Sequence, residues 1–170
     1  KRAPVASLPG NSIYSSRSEI ASRNNEIGSG GGQGTGVGLR TANPETNVSR
    51  YIEQIHSQLK NIETFLYERG YRKTHNYGID NLTQYGRDSY TFILQKGGQY
   101  VLFGVCDGDC SDIDITVFDE NNQQVAKDND ADDHPMIIIN PRLTGKFRVV
   151  VDMFKCKNSP CYYGIGIMGR

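Results

Sequence analysis

Ten carboxylates crowd into residues 107–133, namely Asp107, Asp109, Asp112, Asp114, Asp119, Glu120, Asp128, Asp130, Asp132 and Asp133, against one base, Lys127. That segment carries a formal −9, and because the whole chain balances 19 Lys plus Arg against 19 Asp plus Glu, the remainder carries +9. Hard carboxylate oxygens held in loops suit Ca²⁺, which takes about six to eight of them. Asp112, Asp114, Asp128, Asp130, Asp132 and Asp133 are therefore candidate Ca²⁺ ligands, and Ca²⁺ is the one cofactor expected. Asp128-Asn129-Asp130-Ala131-Asp132 begins like an EF-hand loop, but Asp133 stands where the turn glycine belongs and Ile139 where the closing Glu belongs. The competing chemistry is charge alone: solvated acids keep a protein soluble and blunt strand edges, or the acidic part of one copy pairs with the basic part of the next.

Four cysteines form two tight pairs, Cys106 with Cys110 and Cys156 with Cys161. Neither spacing is the C-x-x-C of redox and zinc sites. They read as two structural disulfides, closed locally in preference to the other pairings, and so as the mark of an oxidising, extracytoplasmic compartment. No G-x-S-x-G serine elbow or H-E-x-x-H zinc helix is present, His134 beside Asp132-Asp133 is a weak candidate base, and the chain is expected not to be an enzyme. Arg69, Arg72 and Lys73 lie near Tyr67, Tyr71 and Tyr77, but the basic run is short and the acidic loops repel phosphate, so nucleic acid is not an expected partner. Ten tyrosines offer stacking faces to a carbohydrate, although the sequence contains no tryptophan. With a mean hydropathy of −0.55 and no long apolar run, no membrane span is expected either.

The elements that must position these groups follow a change in composition. Residues 1–43 are rich in Ser, Asn, Gly and Arg, with a glycine run between Gly28 and Gly38 that matches no phosphate loop and reads as an extended, low-complexity arm. The opening Lys1-Arg2-Ala3-Pro4 looks like that of a processed product or fragment. Ile13, Ile20 and Ile27 recur every seven residues, a faint docking strip. Residues 44–70 predict a helix: Asn43 caps it, Pro44 suits its first position, Glu45 complements its dipole and Gly70 ends it. Val48, Ile52, Ile55, Leu59, Ile62 and Leu66 step by four and three, an apolar seam that docks either on its own domain or on another chain. Residues 71–84 read as a connector. From residue 85 to 170 seven short branched or aromatic runs, at 90–94, 99–106, 112–118, 124–127, 136–139, 146–154 and 162–168, are separated by Gly, Asn, Asp or Pro and predict an antiparallel β-sandwich. In the third run Ile113, Ile115 and Val117 share one side, Asp112, Asp114 and Thr116 the other.

Gly97-Gly98-Gln99-Tyr100, the run from Cys106 to Asp119, Asp132-Asp133-His134-Pro135 and the strand from Gly145 to Val151 follow one another in an order that resembles the bacterial pre-peptidase C-terminal domain family, over about residues 85–168. The resemblance implies a jelly-roll-like sandwich, exported from the cell and usually appended to other exported proteins, mostly without catalytic residues and in some cases calcium-binding. The cysteine pairs resemble those of a cysteine-bearing branch of that family. No protease precedes the domain here, and the helix and arm lie outside the match. The expectation is a mainly β, non-enzymatic, exported module whose arm and helix assemble it into a homo-oligomer or larger extracellular assembly, or else a calcium- or carbohydrate-binding accessory domain.

Overall fold

A computed structural model describes residues 44–170, with side chains from Asn47 onward. The arm, its isoleucine spacing and its glycine run lie outside the described residues. Helix α1 spans Pro44–Tyr67, and the strands are β1 (Arg72–Lys73), β2 (Gly78–Leu82), β3 (Arg87–Leu94), β4 (Tyr100–Cys106), β5 (Cys110–Phe118), β6 (Gln124–Asp128), β7 (Met136–Ile139), β8 (Gly145–Cys156) and β9 (Cys161–Gly169). They form two antiparallel sheets. One runs β1-β9-β4-β7, with β2 also paired to β9; the other runs β3-β8-β5-β6. The protein is mainly β, with one helix among the described residues.

Alternation along the strands builds the sandwich core. Tyr90, Phe92 and Leu94 of β3, Ile113, Ile115 and Val117 of β5 and Phe147, Val149, Val151 and Met153 of β8 point inward against Leu102, Ile137, Ile139, Tyr163, Ile165 and Ile167 of the other sheet. Both disulfides close locally, Cys106–Cys110 and Cys156–Cys161, and all four cysteines are buried at one end of this core.

The second core lies on the outer face of the β1-β9-β4-β7 sheet. Ile55, Leu59 and Leu66 of α1 pack on Val101, Phe103, Val105 and Met168, with Ile62 partly buried beside them. The close approach depends on two glycines of β9 whose missing side chains would point at the helix side. A Cβ on Gly164 would lie 2.6 Å from Ile55 Cγ2 and 2.8 Å from Leu59 Cδ1, and one on Gly166 would lie 2.3 Å from the Phe103 ring. The apolar seam of α1 is thus occupied by the chain's own sheet: Ile55 and Leu59 are fully buried, Ile52 is half-buried, and Val48 is 40% exposed. A partner that uses the helix must bind another part of it.

Two boundaries differ from the sequence reading. The helix ends at Tyr67, and the segment expected to be a connector supplies β1 and β2, which pair with β9 from Arg72↔Gly169 to Leu82↔Cys161. Little in residues 72–82 signals a strand locally; the long β9 edge provides the pairing.

Candidate interaction surface

Strand β4 gives the molecule its axis. Tyr100 pairs with Gly169, and Gln99 and Arg170 exchange two backbone hydrogen bonds, so the C-terminus and the end of α1 lie at one end of the sandwich. Cys106, about 20 Å further along the strand at roughly 3.3 Å per residue, marks the other end with both disulfides and the 128–135 loop, where Gly104 N–H donates to Pro135 O and Ile113 N–H to Asp132 O.

At the disulfide end the acids are mostly committed to holding loops. Buried Asp107 accepts hydrogen bonds from Asp109 N–H at 2.9 Å and Tyr162 N–H at 2.6 Å; burial raises its pKa and these bonds oppose the rise. Asp109 accepts from Tyr51 Oη of the helix at 2.7 Å and from Asn158 at 2.7 Å, which hold its carboxyl below the usual range. Of the six candidate Ca²⁺ ligands, Asp112 and Asp114 lie on the outer face of β5, Asp112 at 3.3 Å from Lys155 and Asp114 at 3.9 Å from Lys127. Asp128 accepts from Asp130 N–H and Met136 N–H, Asp132 from His134 N–H, and Asp133 pairs with the His134 ring at 2.6 Å. They divide between a sheet face and a loop, and no three acids, His or Cys among the described residues converge to hold a metal ion. Asp114 alone has a strongly altered carboxyl, pushed up to about 6 by burial and by Asp112, Asp152 and Asp128, against the pull of Lys127.

The opposite end is built from cations on aromatic rings. The Arg69 guanidinium lies 3.3 Å from the Phe65 ring centroid, Arg72 lies 3.8 Å from Tyr67, Lys73 Nζ 3.7 Å from Tyr77 and Arg170 4.6 Å from Tyr71. Phe65 and Tyr67 are about half exposed. The arginines also complete the helix: Arg69 donates to Phe65 O, Arg72 to Tyr67 O and Tyr71 O, and Arg170 to Arg69 O. Positive charge there suits the carbonyl end of the dipole. Tyr71 and Arg170 both donate to Gln99 Oε1, at 2.6 and 2.9 Å, and Tyr77 donates to Glu63, tying the ridge together. Among the described residues none of Arg69, Arg72, Lys73 or Arg170 forms an ion pair, whereas Arg87, Lys127 and Lys155 each do. The sequence brought Arg69, Arg72 and Lys73 together with three tyrosines but missed Phe65 and Arg170. The latter lies about a hundred residues away and reaches the helix only through β9 pairing.

A cleft of about 490 Å³ lies between the edge strands β6 and β7, lined by Val125, Ile138 and Leu143 together with the charged Asp119, Glu120, Arg142 and Lys146. No tyrosine lines it. Tyr90, Tyr100 and Tyr163 are buried, Tyr51 stacks on Tyr162, and Tyr67, Tyr71 and Tyr77 lie under cations, leaving Tyr85 as the freely exposed ring among those described. No helix among the described residues is long and apolar enough to cross a membrane.

No family model matches the chain, and no curated protein matches it by sequence. Among solved structures it is similar to the pre-peptidase C-terminal domain of a Bacillus anthracis collagenase, at 16% identity and TM-score 0.43 over 54% of this chain and 87% of that one. It is also similar to Aeromonas hydrophila PliG, a periplasmic inhibitor of g-type lysozyme, at 16% identity and TM-score 0.42 over 56% of this chain and 85% of that one. A CBM4 structure is similar at 10% identity and TM-score 0.36, over 59% of this chain and 79% of that one. At these values the likenesses say nothing of what this chain binds or does.

Proposed function

We propose that this chain is a non-enzymatic interaction module working outside the cytoplasm, and that its basic, aromatic end docks an anionic partner. One observation carries this reading: four cations are held in fixed positions on aromatic faces with no carboxylate in ion-pair contact among the described residues. A guanidinium held flat on a ring keeps N–H groups at its edge for a bidentate oxyanion and loses little conformational freedom on binding. The two disulfides support the compartment, since such bonds persist where the surroundings oxidise. The rigid sandwich serves as the scaffold, and the helix contributes its C-terminal turn.

The test is fluorescence anisotropy of a labelled poly-glutamate with the whole chain and with an Arg72→Gln/Lys73→Gln variant. Saturable binding is expected for the wild type, weakening between about 0.1 and 1 M salt as the screening length falls from roughly 10 to 3 Å, and at least about tenfold weaker in the variant, the loss of two charge-assisted contacts. No binding, or equal binding by both proteins, overturns the reading.

A further inference from the structure

The ridge has its complement on the same molecule, about 20 Å away along β4. The 128–133 loop is preformed: Asp128 accepts from Asp130 N–H and Met136 N–H, Asp132 O accepts from Ile113 N–H, and Asp132 Oδ1 from His134 N–H. The carboxylates of Asp130 and Asp133 take no part in that framework, to which Asp130 contributes only its backbone; Asp130 is exposed, and the carboxylate of Asp133 pairs with the His134 ring. The lysines paired with β5's outer face are engaged there, Lys127 of β6 with Asp114 and Lys155 of β8 with Asp112. At the ridge the neighbouring carboxylates are Glu68 in the turn after the helix and Glu63, which receives hydrogen bonds from Lys60 and Tyr77 and also feels the charge of Lys73, without an ion pair to it. One molecule therefore presents preorganised positive charge at one end and preorganised negative charge at the other.

Resting on the docking reading above, we infer that the anionic partner is a second copy of this chain, whose 128–133 loop seats on the Arg69, Arg72, Lys73 and Arg170 ridge. The contacting surfaces are different and lie at opposite ends, so the contact is head-to-tail: each copy that docks leaves its own ridge or loop free for another. Such a contact builds an open filament unless its rotation closes a ring. Electrostatic complementarity sets the direction of addition, since two ridges or two loops brought together repel.

Charge reversal tests this on the whole chain by sedimentation velocity. Arg72→Glu/Lys73→Glu sets two carboxylates against the remaining Arg69 and Arg170 and so cancels the ridge's charge, and Asp130→Lys/Asp133→Lys sets two ammonium groups against Asp128 and Asp132, cancelling the loop's charge while leaving those two to hold it. The wild type is expected to associate in low salt and to return to monomer near 1 M salt, where screening reaches roughly 3 Å. Each reversal alone is expected to be monomeric, and their equimolar mixture to associate, because it restores the native contact. A wild type that stays monomeric, association that survives either reversal, or a mixture that stays monomeric overturns the inference. Poly-glutamate binding by a monomeric wild type would refute the second copy as partner while leaving the docking reading intact; loss of both would refute both. Circular dichroism checks each variant's fold. Should a reversal fail to fold, Arg72→Gln/Lys73→Gln replaces it, and association undiminished in that variant also overturns the inference.

Discussion

Asp114 offers the sharpest test of the electrostatic argument. Its carboxyl is on the outer face of β5 yet only 4% exposed, directly across from Asp152 on β8 and two residues from Asp112 on its own strand. Arg87, the obvious counter-ion, donates to Asp152 at 2.6 Å, leaving Asp114 a loose pair with Lys127 at 3.9 Å. Its pKa accordingly stands at about 6 rather than 3.8. The folded state then holds this proton more tightly than the unfolded chain. Below about pH 4 both states are protonated and the group contributes nothing; as pH rises from there to about 6 the unfolded state releases its proton first, and stability falls. At about 1.4 kcal/mol per pH unit the full loss is about 3 kcal/mol. Asp114→Asn keeps the shape and removes the charge. It forfeits only the attraction of Lys127, itself 38% exposed and so worth about 0–1 kcal/mol. The variant should be about 2 kcal/mol more stable than wild type at neutral pH, with the advantage vanishing near pH 4. Urea unfolding followed by tyrosine fluorescence, suited to a chain without tryptophan, gives the difference at each pH. A variant less stable at neutral pH, or a difference that does not change with pH, would refute the account of this site.

Three further outcomes follow from the packing and the acids. Gly164→Ala would drive a methyl into Ile55 and Leu59 and should lower stability by about 1–3 kcal/mol; in denaturant titrations adding Leu59→Ala should cost less in that background than in the wild type, because the collision is relieved. His75 is buried edge-on to Phe92, and burial lowers its pKa. The stability tied to the neutral ring is fully present above the usual imidazole pKa of about 6.5 and is lost as pH falls below it. His75→Phe should flatten that part of the profile, whose slope is opposite in sign to that from Asp114, so the wild-type curve alone hides both. Because the six aspartates divide between a sheet face and a loop, added Ca²⁺ should leave the melting temperature unmoved; a saturable rise, proportional to RT ln(1 + [L]/Kd), would show that the loop rearranges to gather them.

The parts of this fold legible in the sequence are those dictated by neighbours a few residues apart. Pro44 and the four-and-three spacing from Val48 to Leu66 place the helix, alternation in β5 puts Asp112 and Asp114 on one side and Ile113 and Ile115 on the other, and the cysteine spacings permit the local disulfides that form. What the sequence left open depends on distant partners. β1 and β2 are strands because β9 offers an edge. The helix seam faces inward because Gly164 and Gly166 remove two side chains from the sheet beneath it, a signal present in the Gly-x-Gly of the last strand but meaningful only once that strand is paired.

The charges show the same division most clearly. Counting shows an acidic stretch in a neutral chain, but not which acids are free. Strand register sets Lys127 and Lys155 beside Asp114 and Asp112, and backbone amides occupy Asp107, Asp128 and Asp132. Tyr51 and Asn158 occupy Asp109, the Asn121 and Gln123 amides occupy Asp119, and Glu120 lies beside Gly145 past the other end of β5, which leaves Asp130 and Asp133 at the disulfide end, while the same pairing carries Arg170 to Arg69 and Arg72 at the other. Unengaged charges of opposite sign thus come to lie at opposite ends of β4. The axis, rather than the charge count, requires any contact between the unlike ends of two copies to be directional, and it makes reversal of one end rescuable only by reversal of the other.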